Sequence, residues 1–452
     1  MKDFADAMKP WKSNLAATAV AVFLCIIGWS TAIPFMPLYI RELGVTDLHQ
    51  VELWSGLLAS ATPVAALFAL PMWGVLADRK GHKWNTERAA FGIALTFVLM
   101  AFARNPQQLL VMRILQGALA GFIPAVYALM SAFVPLERVG YALGIILMAT
   151  NAGASVGPLV GGFLADLVGY RWAFVLSGAF NALSGFVVLA LVREQFQRPV
   201  ASAPRKGIRA GASIVAHSTP VLGAILIMAG ATMADSVGRV ILPLFVDTLQ
   251  RDPARVNTAT GLVLAGIALA SAASSLYAGR LADRAGNRAI LLGCAAGAAV
   301  SYAGQAVAPT FGLFLAASLA MGLFVGGLIP AANSILARAV NREQQGAVYG
   351  LSASANSAGN TLGPLIGAGL AAAWGMRATF AAAAVIFAGI AVVVAATIGA
   401  LPHRRTQRLH HVGLRLPDSF FHRRPAKGET TEATANRANE REQKNENTDE
   451  HG

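Results

Sequence analysis

Residues 74–81 read Gly-Val-Leu-Ala-Asp-Arg-Lys-Gly, and residues 279–286 read Gly-Arg-Leu-Ala-Asp-Arg-Ala-Gly. The second octapeptide repeats the first at an offset of 205. Working outward, the same offset, or one residue more, recovers further matches in order. Pro37-Leu38-Tyr39-Ile40 answers Pro243-Leu244-Phe245-Val246, and Pro124 answers Pro330. Gly-Pro-Leu-Val-Gly-Gly (157–162) answers Gly-Pro-Leu-Ile-Gly-Ala (363–368), and Gly169 with Arg171 answers Gly375 with Arg377. A single match in a Gly- and Ala-rich chain carries no weight, but this ordered series marks a duplicated unit.

Composition says what the unit is. The chain has 452 residues, of which 55% are hydrophobic and 13% charged, against about 25% charged in soluble domains. Its mean hydropathy is +0.55. The apolar residues fall in runs long enough to cross a bilayer core of about 30 Å, which takes about 20 residues. Twelve runs are read: 13–38, 54–77, 88–103, 107–130, 139–162, 170–192, 219–246, 256–280, 289–308, 310–337, 346–370 and 376–401. The expected fold is an all-α integral membrane protein of twelve transmembrane helices in two pseudo-symmetric six-helix halves. Residues 1–192 and 219–402 form the halves, 193–218 a polar central loop, and 403–452 a tail expected to be largely disordered. The first run is too long for a signal-peptide core and reads as a retained span.

Basic residues set the orientation. With both termini in the cytoplasm, 28 of the 36 Lys and Arg fall in inner segments and six in outer loops, while Arg113 and Arg239 fall within spans. The positive-inside rule therefore places both termini in the cytoplasm of a multi-pass inner-membrane protein. Topology and the lipid bilayer account for the net charge of +13 without a nucleic-acid partner. Cys25 and Cys294 lie in apolar runs, and the eight histidines have no metal spacing, so neither metal nor cofactor is expected. A phosphate-binding loop and a nucleophile elbow are both missing, so an enzyme is not expected and energy would come from an ion gradient.

Three motifs resemble those of the major facilitator superfamily, and specifically its twelve-span drug:proton antiporters. Residues 74–83 (GVLADRKGHK) resemble the loop signature after span 2. Arg113-Ile114-Leu115-Gln116-Gly117 resembles the span 4 signature, and residues 153–162 (GASVGPLVGG) the antiporter signature of span 5. Phe35-Met36-Pro37-Leu38-Tyr39-Ile40 and Trp54-Ser55-Gly56 are similar to stretches of bacterial multidrug exporters in this superfamily. The resemblance covers about residues 10–402. It implies a cytoplasmic gate of Gly74, Asp78, Arg79, Gly81 and Lys83, repeated at Gly279, Asp283, Arg284 and Gly286. It also implies coupling through Arg113 and a cavity lined by spans 1, 4, 7 and 10. On that analogy Trp29, Phe35, Tyr39, Gln116, Phe122, Tyr127, Met233 and Asn333 are candidate cavity residues, with packing or lipid contact the other reading of each.

The residues also have direct physical readings. Gly74 and Gly81 are expected to flank a tight turn, and Asp78 to hold basic groups or a helix N-terminus in one conformation and release them in another. Gly153, Gly157 and Gly161 recur every fourth residue, share a helix face with close packing in view, and adjoin Gly162. Pro158 is expected to favour a kink. Charges inside spans cost roughly 2.5–3.5 kcal/mol on insertion scales and are functional by default. Arg113 stands near the outer start of span 4, where its long side chain could reach the interface instead. Asp235 and Arg239 lie one turn apart and could pair. At ~1.5 Å per residue from Thr219, Asp235 stands about 24 Å in, toward the outer side. Desolvation favours a neutral carboxylate and a neighbouring arginine an ionised one, so such a pair could carry a proton. A fixed structural ion pair is the other reading. Span 1, which bears an acid in many drug antiporters, has none here; Trp29 holds the repeat position of Asp235.

The leading expectation is a monomeric secondary transporter that exports lipophilic drugs or related amphiphiles, its small-molecule substrates, in exchange for protons. The alternatives are export of one metabolite, such as a sugar or amino-acid derivative, and a transporter-like receptor.

Overall fold

The computed structural model describes residues 9–135, 138–194, 218–340 and 342–397. Most of the central loop, the tail from residue 398 and the side chains of 278–285 lie outside the described residues. The expectations for the loop, the tail, Asp283 and Arg284 therefore fall outside them too.

The first half holds α1 (Lys9–Ala32), α2 (Met36–Glu42), α3 (Leu48–Lys80), α4 (His82–Ala101), α5 (Pro106–Ala118), α6 (Phe122–Phe133), α7 (Val139–Val168) and α8 (Tyr170–Leu191). The second holds α9 (Thr219–Arg239), α10 (Leu242–Leu249), α11 (Val256–Ala285), α12 (Asn287–Val307), α13 (Phe311–Ala339), α14 (Arg342–Trp374) and α15 (Met376–Thr397). Among the described residues, ten stretches are long and apolar enough to cross a membrane. α4 and α14 are as long but less apolar: α4 opens on His, Lys, Asn, Glu and Arg, and α14 carries Ser and Asn through its middle.

Local chemistry sets the helix ends. Gly81, Gly169, Gly286 and Gly375 have φ of +101°, +89°, +84° and +85°, the region a residue without Cβ tolerates. They make the sharp turns α3–α4, α7–α8, α11–α12 and α14–α15, two matched pairs of the repeat. Asp47 accepts from the His49 N–H at 3.1 Å and Asn105 from the Gln108 N–H at 2.8 Å, capping α3 and α5.

Three expectations are corrected. Gly74 lies inside α3 and makes no turn; the helix runs on until Gly81, whose N–H closes α3 on the Ala77 carbonyl at 2.8 Å, and α11 likewise runs through Gly279 to end before Gly286. Spans 1 and 7 are each two helices. Around Pro34, Ile33–Phe35 tightens into a 3₁₀ turn, while Val240–Ile241 separates α9 from α10 just before Pro243. Span 4 also breaks, at Leu119–Gly121, where Gly121 has φ +115°.

The end bearing Gly81 carries Lys12, Arg79, Lys80, Lys83, Arg193 and Arg288; it is the basic end, and the opposite one is the far end. Two long helix pairs join the halves, α3 with α14 and α7 with α11, and the short helices α2 and α10 also touch. Each half has its own apolar core, and Ile241, Leu244, Val256 and Ala371 of the second half pack into the core of the first. All four sit toward the far end. Among the described residues, the hydrogen bonds that cross between halves also lie on that side: Ser60 Oγ to the Thr361 carbonyl at 2.7 Å, Arg41 to Asp247, and Asp166 to the start of α11.

Candidate functional site

The signature of α7 is a packing surface with two faces. A Cβ on Gly153 would meet the Phe23 carbonyl and Ile26, one on Gly157 would meet Ser30 and the Ile27 carbonyl, and one on Gly161 would run into the Thr31 carbonyl. These three glycines therefore bring α1 against α7 within the first half. Gly162 faces the other way: its Cβ would strike the Asn257 carbonyl of α11. Gly261 of α11 returns the approach, closing on the Pro158 carbonyl. The repeat glycines of α14 do the same to α9, with Gly359, Gly363 and Gly367 against Ala229, Met233 and Val237.

Arg113 does not reach the interface. Its side chain is buried, with 3% of the residue exposed. Nε donates to the Leu58 carbonyl at 3.0 Å and Nη1 to Gln116 Oε1 at 2.6 Å. The guanidinium lies 5.6 Å from the Trp29 ring centre. Carbonyl, amide and ring take the place of a carboxylate, and a buried charge needs such partners. Gln116 Nε2 is a buried donor with no partner among the described residues.

In the second half the polarity of the matching place is reversed. Asp235 stands at the repeat position of Trp29, and Tyr302 at that of Phe97, the ring against which Trp29 packs edge-on at 6.0 Å. Arg239 donates to Asp235 Oδ2 through Nη2 at 2.7 Å and Nε at 3.1 Å. The Tyr302 hydroxyl faces the same carboxylate. Gly238, Leu242, Gln305, Met321 and Phe380 complete a small cavity around the pair. The side chains of Asp235 and Arg239 are 24% and 59% exposed, so the pair joins the helix interior to open space at the end of α9.

The remaining candidates divide by burial. Phe35, Tyr39 and Phe122 are buried, the last two in the first-half core, as Gln116 is beside Arg113, so these four stand in packing rather than on open space. The Tyr39 hydroxyl donates to the Met100 carbonyl at 3.1 Å. Trp29, Met233 and Asn333 are half-buried, and Tyr127 is exposed.

At the basic end, Asp78 and Arg79 are exposed, and Asp78 has no hydrogen bond or ion pair among the described residues. The turn beside them is held by Glu194, which the sequence did not single out. Its carboxylate accepts from the His82 and Lys83 N–H groups at 3.0 and 2.9 Å, capping α4 from the end of α8. Lys83 Nζ donates to the Leu189 carbonyl at 2.9 Å. Two far-end features were also missed. Arg41 pairs with Asp247 at 2.5 Å across the halves; the signal was available, because the two residues occupy one repeat position with opposite charge. Asp166 binds the start of α11, and it follows Gly162 by one helical turn on the same face.

A family model described as Major Facilitator Superfamily matches residues 18–254 and 224–426. Proteins named multidrug resistance protein MdtG are similar over most of the chain. That of Enterobacter lignolyticus (strain SCF1) is 34% identical over 383 residues, 84% of this chain and 91% of that one. That of Klebsiella pneumoniae (strain 342) is 33% identical over 378 residues, 83% and 91%. Among solved structures, a bacterial homolog of the human lysosomal transporter Spinster in an inward-facing, unoccupied conformation aligns with a TM-score of 0.70 at 17% identity, covering 85% of this chain and 96% of that one. The nucleoside transporter NupG aligns at 0.68 and 14%, covering 85% and 98%. Helices, repeat, motifs and relatives agree: the chain is a multi-pass membrane protein of the Major Facilitator Superfamily, on its MdtG branch.

Proposed function

We propose that the protein is a secondary transporter, not an enzyme, that exports lipophilic drugs or related amphiphiles in exchange for protons. The observation that carries this reading is the 34% identity over 84% of the chain with a protein named for multidrug resistance. The geometry adds a route. The halves meet at the far end, so substrate enters between them from the basic end, which the positive-inside rule assigns to the cytoplasm along with both termini. Rocking of the halves about the α3–α14 and α7–α11 contacts then exposes the site to the far side. The protein works as a monomer in the inner membrane, and its partners are substrate, protons and lipid.

Asp235 is the candidate proton carrier. It is a carboxylate at the end of α9, held by Arg239 and faced by Tyr302, beside a small cavity. Loss of the Arg239 contact during rocking would shift the balance between ionised and neutral forms. Arg113 keeps a fixed positive charge in the opposite half. Ethidium uptake into everted vesicles under an imposed pH gradient tests the reading. Gradient-driven uptake is expected for the wild type, with uptake lost but ethidium binding retained in Asp235→Asn. Uptake unaltered in the variant moves proton coupling elsewhere. A wild type that moves none of several unrelated dyes overturns drug export and favours a single metabolite.

A further inference from the structure

One carboxylate clasps the two halves at the far end. Asp166 lies in the last turn of α7. Its Oδ1 accepts from the Asn257 backbone N–H at 3.2 Å and from Asn257 Nδ2 at 2.8 Å. Its Oδ2 accepts from the Thr258 backbone N–H at 2.7 Å and from Thr258 Oγ1 at 2.6 Å. Asn257 and Thr258 are the second and third residues of α11. The first N–H groups of a helix have no partner within it and carry the positive end of its dipole. A side chain just before the helix ordinarily fills that role. Here it is filled from the other half, 91 residues away in sequence.

The clasp exists only while the seam is shut. Gly162 and Gly261 let the α7 and α11 backbones approach so closely that a Cβ on either would collide with the facing carbonyl. A small parting of these helices breaks all four bonds together. The surrounding charges do not replace them. Arg41 is engaged with Asp247, Arg171 at the start of α8 faces the Tyr39 hydroxyl, and Arg255 sits 3.4 Å from Asp252 on the exposed surface. Glu42 and the Tyr170 hydroxyl stand nearby and supply no cation. Among the described residues Asp166 has no ion-pair partner, so N–H and O–H donors alone balance its charge.

The other seam has the same arrangement turned end for end. Asp78 lies in the last turn of α3, at the basic end, which is where α14 begins at Arg342. Each first-half helix of the two seams thus ends in an aspartate at the same end of the molecule as the start of the second-half helix it pairs with. Asp166 is engaged, and Asp78 is exposed and has no bonded partner among the described residues.

We propose that Asp166 is the far-end latch of the transport cycle, holding the start of α11 while the basic end admits substrate and releasing it as Asp78 takes hold of the start of α14. The inference rests on the alternating-access reading above. Asp166 touches no substrate; it is a positioning residue that sets how much of the protein waits open to the basic side.

The test is a distance measurement between nitroxide labels at Phe102 and Val307, exposed residues at the far ends of α4 and α12. It is made in lipid nanodiscs on the full chain with Cys25 and Cys294 replaced by Ala. Asp166→Asn is expected to raise the ratio of far-end-open to far-end-closed protein at least tenfold, about 1.4 kcal/mol. Thr258→Val, which removes one donor and keeps the acid, moves it the same way by less. It also reads the latch if Asp166→Asn fails to accumulate. Adding Asp78→Asn to Asp166→Asn returns the ratio toward the wild type, because two opposed latches cancel, whereas two merely structural lesions would compound. Unchanged distances in both Asp166→Asn and Thr258→Val overturn the proposal, as does a double variant that opens further. No substrate is needed, so a wild type that exports no dye sinks the drug-export reading and leaves this result standing.

Discussion

Single atoms decide what the α7 glycines do, and neighbouring glycines do different things. Gly161 packs inside a half, so a methyl group there presses on the Thr31 carbonyl in every conformation. Gly161→Ala is expected to destabilise the protein by ~1–3 kcal/mol, the usual cost of overpacking, seen as a lower thermal midpoint in detergent. Gly162 packs across the seam on Asn257. Gly162→Ala is expected to leave the midpoint within about 2 °C of the wild type, because the seam can part, and to shift the label distances toward the far-end-open form. Gly144→Ala, with open space around it, serves as the neutral control. A lower midpoint for Gly162→Ala without a distance shift would refute this division. The every-fourth-residue spacing of 153, 157 and 161 was legible in the sequence and identified one packing face. The opposite duty of Gly162 was not, because nothing in a local pattern says that helix eight of the spans lies behind it.

At the scale of the element, the break in span 4 is the clearest departure from hydropathy, which reads 107–130 as one run. The break frees the carbonyls of residues 118–120, and the first half has groups to receive them. Arg88 Nη1 donates to the Leu119 carbonyl at 2.8 Å and Nη2 to the Ala120 carbonyl at 3.1 Å. Trp73 Nε1 donates to the Ala118 carbonyl at 2.6 Å, and the Arg88 guanidinium stacks over the Trp73 ring at 3.7 Å. In the second half Gly293 stands at the repeat position of Arg88, and α13 runs unbroken from Phe311 to Ala339. A bent backbone inside a membrane protein persists where its polar groups are satisfied, and the first half supplies those groups. Arg88→Met removes the donor from three acceptors, the Leu119 and Ala120 carbonyls and Asn85 Oδ1, each costing ~1–3 kcal/mol if water does not reach it. It is expected to lower the thermal midpoint, and Arg88→Lys to recover little, since an ammonium lacks the planar fork. A variant with the wild-type midpoint would mean that the break does not depend on Arg88. Glu194→Ala, which uncaps α4, is expected to cost ~0.5–2 kcal/mol by the same measurement. Neither residue was legible in advance. Arg88 opened an apolar run and read as a plain loop charge, and Glu194 bonds a turn more than 100 residues away.

Across the whole molecule, the duplication was readable from the sequence because paired glycines and prolines keep their place when other residues drift. The contacts between the copies were not, with one exception. Arg41 and Asp247 are the same position in the two repeats, and they touch. A residue that meets its own counterpart lies beside the axis relating the copies. Reversing Arg41 to Asp would set two acids together there. The side chains are 47% and 31% exposed, so a pair of this kind is worth only ~0.2–1 kcal/mol. The expected outcome is a two- to fivefold rise in far-end-open protein, reversed when Asp247→Arg restores opposite charges. A swap that fails to restore the ratio would detach this pair from the seam. The pair also bears on ancestry. An undifferentiated ancestor of one repeat, assembling as a symmetric pair, would have brought identical side chains together at this point, two arginines or two aspartates. Opposite charges make each copy a better mate for its sibling than for itself. The two copies are therefore no longer interchangeable at this point: two first halves set together would bring arginine against arginine, and two second halves aspartate against aspartate.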